Sequence, residues 1–438
     1  LLLAGERPGG GCGIGEMKSL TCVILAAGEG KRMKSAYGKV SHALAGRPII
    51  SYVVEAARAL EPERIAVVVG HDAERVKKAA GEGVDFVLQE EQRGTGHAVM
   101  QARPLFERAG GDLLLLSGDV PLITAETLTM LRETHRASGA VCTLLTAVLK
   151  NPTGYGRVLR RANGKPHKIV EEKDADRFQK AVEEINSGSY LFDIPSLLGV
   201  LDRLSPENRQ REFYLTDAVE LLAAGGGIVE AVRTEDPGEV LGINSRDDLA
   251  RMEGLLQRRI QKAHMRNGVT IVDPGSTYIE ASVSIGRDTI IRPFSVLSGP
   301  ARVGVGCRIG PFSHIRAGTI LEDGAEIGNF VEVKASTIGS GAKALHLSYL
   351  GDAAVGKGAN IGAGTVTANY DGREKHRTEI GDGAFIGSGT TLVAPVKVGD
   401  GAVTGAGSVV LRGRDVPAGG VVAGVPAKPI RRGKRGND

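Results

Sequence analysis

The chain has no tryptophan, and aromatic residues make up only 4% of its 438 positions. That scarcity suits a thin aliphatic core better than one built on packed rings. Four cysteines, Cys12, Cys22, Cys142 and Cys307, are too scattered for paired metal spacing. They argue for a reducing, cytoplasmic setting rather than a disulfide framework. Although 42% of residues are hydrophobic, no apolar run approaches the roughly 18 residues that span a bilayer, so membrane insertion is not expected. Charge of one sign is also scarce: the net value is +4, much of it in Arg431-Arg432-Gly433-Lys434-Arg435. Nucleic-acid binding would need a broader basic face, so a solvated basic end is expected. The length predicts two to three domains. Residues 1–16, ahead of Met17-Lys18, lack the basic start and apolar stretch of a secretory signal and are expected to form a disordered tail.

What the chain does have is glycine, 62 in all and concentrated after Gly268, together with an aliphatic residue at every sixth position. The series runs Ile279, Ile285, Ile291, Leu297, Val303, Ile309, Ile315, Leu321, Ile327 and Val333, then resumes at Val355 and Ile361 and at Ile380, Ile386, Leu392 and Val398. Six fits neither the 3.6 period of a helix nor the period of 2 of an ordinary strand. It predicts a parallel β-helix of hexapeptide turns over 268–438, each turn giving one side chain to a narrow core. Glycines directly after several of these aliphatics, as in Ile309-Gly310 and Ile327-Gly328, suit tight corners.

The first half reads differently. Short apolar runs at Thr21–Leu25, Ile65–Val69 and Leu113–Leu116 alternate with helical patterns. This predicts a Rossmann-like, mostly parallel sheet over 17–245, with ligands at the carboxyl ends of the strands. Ala26-Ala27-Gly28-Glu29-Gly30-Lys31-Arg32-Met33 follows the first run. Its small residues let backbone N–H groups approach a phosphate or base, while Lys31, Arg32 and Lys39 bring positive charge. Met33 occupies the third glycine position of a dinucleotide fingerprint, and no Walker Gly-Lys-Ser/Thr is present, so neither motif applies. Asp119, behind Gly118 at the end of the leucine run, is placed to bind Mg²⁺ against substrate phosphates, although a turn aspartate alone would look the same. Residues 246–267 read as a helical linker, with Leu249, Met252, Leu256 and Ile260 as its apolar stripe.

The succession of motifs decides between a turn and a site. Gln89 with Gly94-Thr95-Gly96-His97-Ala98, Thr153-Gly154-Tyr155-Gly156-Arg157, Ile169-Val170-Glu171, Glu184-Ile185-Asn186-Ser187-Gly188 and Leu241-Gly242-Ile243-Asn244 occur in order. From Met17 to about Gly424 the chain resembles the bacterial bifunctional family of N-acetylglucosamine-1-phosphate uridylyltransferase and glucosamine-1-phosphate N-acetyltransferase. The resemblance implies a left-handed β-helix, a homotrimer and a role in making UDP-N-acetylglucosamine for the cell envelope.

For uridylyl transfer from UTP to N-acetylglucosamine 1-phosphate, it implies that Leu25, Ala26, Ala27, Gly28, Gln89, Gly94 and Thr95 hold uridine. Gly156, Glu171 and Asn186 would hold the acetylated sugar, Asp119 and Asn244 would bind Mg²⁺, and Arg32 and Lys39 would offset phosphate charge. For acetyl transfer from acetyl-CoA to glucosamine 1-phosphate, it implies that His346 is the base, since a group titrating near neutrality can take the amine proton. Arg316 and Lys334 would bind the sugar phosphate, and Tyr349 and Asn360 the sugar. Asn369 and Tyr370 would place substrate and thioester, while Ala363, Ser388 and Ala406 would meet coenzyme A. The stretch 368–377 carries no sixfold residue, so a loop leaving the coil is expected there.

Four positions depart from the family pattern. Lys31 stands where threonine is usual, Gly38 where proline is usual, Ser117 where an aromatic is common, and Gly424 where an arginine often meets coenzyme A. Arg412, Arg414, Arg431 and Arg432 are nearby sources of replacement charge. Two alternatives stand beside the two-transferase reading: a single-activity nucleotidyltransferase whose β-helix regulates or trimerises, and a trimeric scaffold that senses sugar nucleotides. Retention of Arg316, Lys334, His346, Tyr349 and Asn369 argues against the first, and of Asp119 and Asn244 against the second.

Overall fold

The computed structural model describes residues 19–70 and 72–430. The expected tail at 1–16 and the basic segment from Arg431 lie outside the described residues. Contacts divide the chain into two compact units: residues up to Ala43 with Pro48–Met252, and Leu44–Arg47 with the chain from Glu253 onward.

The first unit is built on nine strands: β1 (Leu20–Leu25), β2 (Arg64–Val69), β3 (Asp85–Leu88), β4 (Asp112–Ser117), β5 (Cys142–Val148), β6 (Arg157–Arg160), β7 (Pro166–Val170), β8 (Glu184–Asp193) and β9 (Val229–Arg233). Their order is β9-β5-β8-β4-β1-β2-β3, and the β6–β7 hairpin attaches to β8. β1 runs parallel to β2 and β4, whereas β8 is antiparallel to β4 and β5. Alternation along each strand explains why these runs are continuously apolar. Cys22 and Ile24 enter the core on one face with Leu114 and Leu116, while Val23 enters the core on the other with Leu113 and Leu115. With both faces covered by helices there is no polar side to the strand. Leu25 pairs with Ser117 at the carboxyl ends of β1 and β4, so the loops that follow start side by side.

The second unit is a stack of coils. Three sheets of ten, eight and seven strands run its length; their strands are parallel and each pairs with the one three further along the chain, until the end of the first sheet, where Val421–Ala423 pairs with the strand two before it and Lys428–Pro429 adds antiparallel. A regular coil advances eighteen residues, as in Arg308↔Glu326, which is three hexapeptides. The sixfold aliphatics stack into one core: Ile291, Ile309 and Ile327 on the first sheet, Leu297, Ile315 and Val333 on the second, Val303 and Leu321 on the third.

The coil continues through the gap in the period between Val333 and Val355. Ile338, Ala344 and Leu350 take the core positions there, but the coils shorten to seventeen residues, as in Glu326↔Lys343 and Lys343↔Asn360. One residue is lost between Val333 and Ile338 and another between Leu350 and Val355. A count in sixes fails at each deletion although no side chain leaves the core. The next coil, Asn360↔Phe385, takes twenty-five residues because 369–377 leaves the wall as a loop.

The helix Arg246–Arg266 closes the open end of this stack. Buried Gln257 donates to the Ile279 carbonyl (2.9 Å) and accepts from its N–H (3.0 Å), acting as a strand edge would. Gln261 donates to the Thr277 carbonyl at 2.7 Å. Both satisfy backbone groups that a buried first coil would otherwise leave unpaired.

Candidate active sites

In the first unit, the loops after β1, β3 and β4 border one cavity of about 320 Å³. Leu25, Ala26, Ala27, Gly28, Lys39, Gln89, Gly94, Thr95 and Asp119 all line it, so nine of the residues singled out in the sequence meet here. Gly118 lets the Asp119 loop approach: a Cβ there would sit 3.1 Å from Ala26 Cβ and 3.0 Å from Ile50 Cδ1. Gly94 has φ +105, open to glycine and strained for other residues. Gln89 donates to the Gly94 carbonyl at 3.2 Å. Three wall residues were missed by the motif reading: Val40, Gln92, which donates to the Ala27 carbonyl at 2.6 Å, and Glu212.

Lys39 Nζ forms an ion pair with Asp119 Oδ2 and lies 3.0 Å from Asn244 Oδ1. Two oxygens thus converge on one cationic point. Asn244 is fixed by the start of the helix that follows it: Asp248 accepts from the N–H groups of Asn244 and Ser245 at 2.9 Å, and its own N–H donates to Ser245 Oγ at 3.1 Å. This is a reciprocal cap. A carboxylate and an amide oxygen suit Mg²⁺, which takes few protein ligands when substrate phosphates supply the rest.

Gly156, Glu171 and Asn186 form a second group. The Asn186 N–H donates to the Gly156 carbonyl at 2.9 Å, and a Cβ on Gly156 would meet Glu171 Oε2 at 3.5 Å. Desolvation pushes the Glu171 carboxyl above its ordinary value; the Thr216 hydroxyl opposes this, while Asp217, Asp174 and Glu212 add like charge. Arg32 sits apart from both groups, exposed on the turn Lys31–Met33.

In the second unit, residues on one corner repeat coil after coil. Gly364 N–H donates to the His346 carbonyl (3.4 Å), Gly389 to Ala363 (2.7 Å) and Gly407 to Ser388 (2.8 Å). His346, Ala363, Ser388 and the Ala406 that precedes Gly407 therefore form a vertical row. One coil below, Asn329 pairs in register with His346, and its Oδ1 lies 2.8 Å from His346 Nδ1. Asn329 was missed because it lies seventeen residues back, a spacing that only the shortened coil creates.

At the next corner, Arg316 N–H donates to the Val333 carbonyl at 2.8 Å, setting Arg316 beneath Lys334. Arg316 Nη1 also pairs with Glu332 Oε1 at 2.6 Å. Tyr349 stands above Glu332 on the sheet between the two corners. Its ring lies against Gly351, where a Cβ would collide with it. Asn369 donates to Asp352 Oδ2. Asn360 starts the strand that carries Ile361, and Tyr370 is exposed on the loop, bridged to Lys375. Lys375, which the sequence placed in the loop without a role, meets Lys334, and that contact lowers the Lys375 ammonium below its usual value. The loop is fastened by Asp371, which accepts from His376 Nε2 (2.6 Å) and Arg412 Nη1 (3.2 Å); its carboxyl is held well below the usual range, chiefly by the Glu374 N–H. Arg412 is thus engaged, and Gly424 has φ +97, a turn in which arginine would be strained.

A doubly covered nucleotide-binding sheet followed by a hexapeptide stack defines a nucleotidyltransferase fused to a hexapeptide-repeat transferase. Residues 22–182 match the MobA-like NTP transferase domain, and residues 377–412 match the bacterial transferase hexapeptide (six repeats). The bifunctional protein GlmU of Caldanaerobacter subterraneus subsp. tengcongensis is 45% identical over 415 residues, covering 87% of this chain and 90% of that protein. That of Heliobacterium modesticaldum is 46% identical over 436 residues, covering 92% and 95%. Apo UDP-glucose pyrophosphorylase matches at 17% identity and a TM-score of 0.46, over 55% of this chain and 99% of that one. The chain belongs to the bifunctional GlmU family, a transferase with uridylyltransferase and acetyltransferase activities, and its second unit is a left-handed parallel β-helix.

Proposed function

We propose that the two reactions are carried by the two residue groups described above, one in each unit. Acetyl-CoA acetylates the amine of glucosamine 1-phosphate, and N-acetylglucosamine 1-phosphate then attacks the α-phosphorus of UTP, giving UDP-N-acetylglucosamine and pyrophosphate. The convergence of Lys39, Asp119 and Asn244 supports the second step most directly.

In the uridylyl site, backbone groups from Leu25 to Gly28, with Gln89, Gly94 and Thr95, hold uridine; Gly156, Glu171 and Asn186 hold the sugar. Asp119 and Asn244 would hold Mg²⁺, which when bound would neutralise charge on phosphate oxygens. Lys39, released from Asp119, would turn toward the phosphates, and Arg32 would approach from the exposed turn as charge develops. These residues position and neutralise; no covalent intermediate is required.

In the acetyl site, Asn329 Oδ1 can only accept, so its contact fixes the proton on His346 Nδ1 and leaves Nε2 free as the base. His346 Nε2 takes the amine proton as nitrogen attacks the thioester carbonyl; the C–S bond then breaks, and the proton passes to the departing coenzyme A thiolate, leaving the amide and free thiol. Arg316 and Lys334 bind the phosphate, Tyr349 and Asn360 the sugar, Asn369 and Tyr370 the reacting ends, and Ala363, Ser388 and Ala406 the coenzyme.

A homotrimer is supported by an exposed ladder on the same edge as His346. Phe294, Phe312 and Phe330 stack with ring centroids 4.8 and 5.2 Å apart, and Leu347 continues the row. Such a contiguous apolar strip suits a second copy of the chain. Among the described residues no helix is long and apolar enough to cross a membrane; we place the enzyme in the cytoplasm, without nucleic-acid partners.

The test assays each half-reaction alone. His346→Ala should abolish acetyl transfer and spare uridylyl transfer, and Asp119→Ala should do the reverse. Loss of both activities from either substitution in a folded protein would refute independent sites, and a chain inert with saturating acetyl-CoA would favour a passive β-helix.

A further inference from the structure

Asp72 stands at the N-cap of the helix Ala73–Ala80, yet its side chain makes no capping bond. Aspartate at that position ordinarily accepts from an N–H in the first turn. Here Oδ2 accepts instead from the backbone N–H of Gly38 at 2.7 Å and from the Ser41 hydroxyl at 3.3 Å. Arg75 Nε, 3.8 Å from Oδ1, is its only ion-pair partner among the described residues.

Gly38 and Ser41 bracket the short turn Lys39–Ser41, which is closed by a Ser41 N–H bond to the Gly38 carbonyl at 3.0 Å. One carboxylate oxygen therefore grips both ends of the turn that presents Lys39. Gly38 has φ −56 and ψ 140, within the narrow range that a pyrrolidine ring would impose. Nothing covalent holds a glycine there, and glycine has the most conformational freedom to lose. The fit is close: a Cβ on Gly38 would lie 3.0 Å from Asp72 Cβ.

We infer that Asp72 is a positioning residue for uridylyl transfer, its bond to the Gly38 N–H doing by electrostatics what a ring at position 38 would do covalently, so that Lys39 is delivered to the phosphates. The inference rests on the role of Lys39 given under Proposed function. It assigns Asp72 no contact with substrate.

The experiment uses the full-length enzyme with Asp72→Ala, Asp72→Asn, Gly38→Pro and the double variant Gly38→Pro/Asp72→Gly, which also removes the Cβ that a side chain at position 38 would meet, reading kcat and the KM for UTP together with amide exchange of residues 34–42. Loss of a hydrogen bond to a charged acceptor predicts a fall of about tenfold in kcat for Asp72→Ala. The KM for UTP should barely move, because the cavity walls at Ala26–Gly28 and Gln89 are untouched, and exchange at Gly38 should rise. Asp72→Asn keeps an acceptor and should keep most of the rate. Gly38→Pro alone should be impaired, its ring carbon taking the place of the N–H against the carboxylate, and the double variant should recover to within about threefold of the parent. A parental kcat in Asp72→Ala, with or without a lower melting temperature, would overturn the inference and leave Asp72 a helix residue. A double variant no faster than Asp72→Ala would overturn it as well. If Lys39→Ala spared uridylyl transfer, the catalytic reading of Lys39 would fail instead, while Gly38 exchange would still report the latch.

Discussion

Asn329→Ala removes one hydrogen bond, the 2.8 Å contact with His346 Nδ1, and leaves the wall intact, because the backbone bond from Leu347 N–H to the Asn329 carbonyl is unaffected. A neutral hydrogen bond near solvent is worth about 1 kcal/mol, or about fivefold in rate. Without it, imidazole is free to carry its proton on Nε2, the nitrogen that must be bare. Acetyl transfer should therefore slow by about five- to tenfold, far less than the 10²–10⁴ expected for His346→Ala, which deletes a general base. Asn329→Asp separates orientation from charge. It accepts the same proton but adds a negative charge that favours imidazolium, so kcat at high pH should be near parental while the acid limb of the pH–rate profile moves to higher pH. The assay follows acetyl-CoA consumption from pH 5.5 to 9 at saturating substrates, with ¹⁵N spectra of His346 reporting the tautomer and uridylyl transfer as the internal control. A parental rate and tautomer in Asn329→Ala would refute the argument. So would a loss as large as that of His346→Ala, which would make Asn329 part of the chemistry rather than its orientation.

Glu171→Gln tests the raised carboxyl. A group whose folded pKa is raised contributes stability that is complete below the unfolded value, about 4.3, and is lost as pH rises through the folded value. Glu171→Gln should thus melt like the parent at pH 4 and higher than it at pH 7.5, while its KM for the acetylated sugar phosphate rises; equal melting at both pH values would contradict the desolvation reading. Lys375→Ala removes one of two facing ammonium groups and should raise the KM for glucosamine 1-phosphate several-fold with kcat retained; an unchanged KM would place the phosphate elsewhere. Phe330→Asp puts charge into the stacked ladder, where burial of each ring on association is worth about 1.5–3 kcal/mol, so sedimentation should move from trimer to monomer. A parental trimer would exclude that edge from the interface.

How much of this was legible in the sequence depended on periodicity and local order. The nucleotide cavity is made of residues that follow strands directly: Ala26–Gly28 and Asp119 stood at strand ends read from the sequence, but only the succession of motifs told a site from a turn there, and Gln89 came with that succession because the short strand before it was not read. The sixfold aliphatics of the solenoid were equally plain, because each coil repeats one core requirement. Contacts across coils were not. Asn329 and His346, or Lys334 and Lys375, are joined only once coils of seventeen and twenty-five residues are known, and a count in sixes hides both. Asp72 was hidden for a different reason: an aspartate before a helix already has a common explanation, and only its unused capping geometry sets it apart.

The failures of the period are not scattered. The residue lost between Val333 and Ile338, the residue lost between Leu350 and Val355 and the excursion at 369–377 fall at the same corner of three successive coils. A perfectly regular solenoid makes every coil equivalent and so offers no unique place for a ligand. Shortening a corner keeps the aliphatic residue in the core, so the hydrophobic contribution is retained and the change is confined to the edge. Ala335 at φ +46 and Asp352 at φ +50 stand at the shortened corners, as Phe312, Phe330 and Leu347 stand at the neighbouring one, in left-handed conformations that cost a non-glycine residue about 1–2 kcal/mol each. The shortened corners are where Lys334, Asp352, Asn369 and Lys375 come together. The tightened corners bring charged groups from separate coils onto one edge, and the loop above them adds the second ammonium. The row at the neighbouring corner, from His346 to Ala406, stays stacked from coil to coil, as the proposed coenzyme track along the axis requires. Under the proposed function, irregularity at one corner and regularity at the next would divide the work of a phosphate site and a coenzyme track on either side of one sheet.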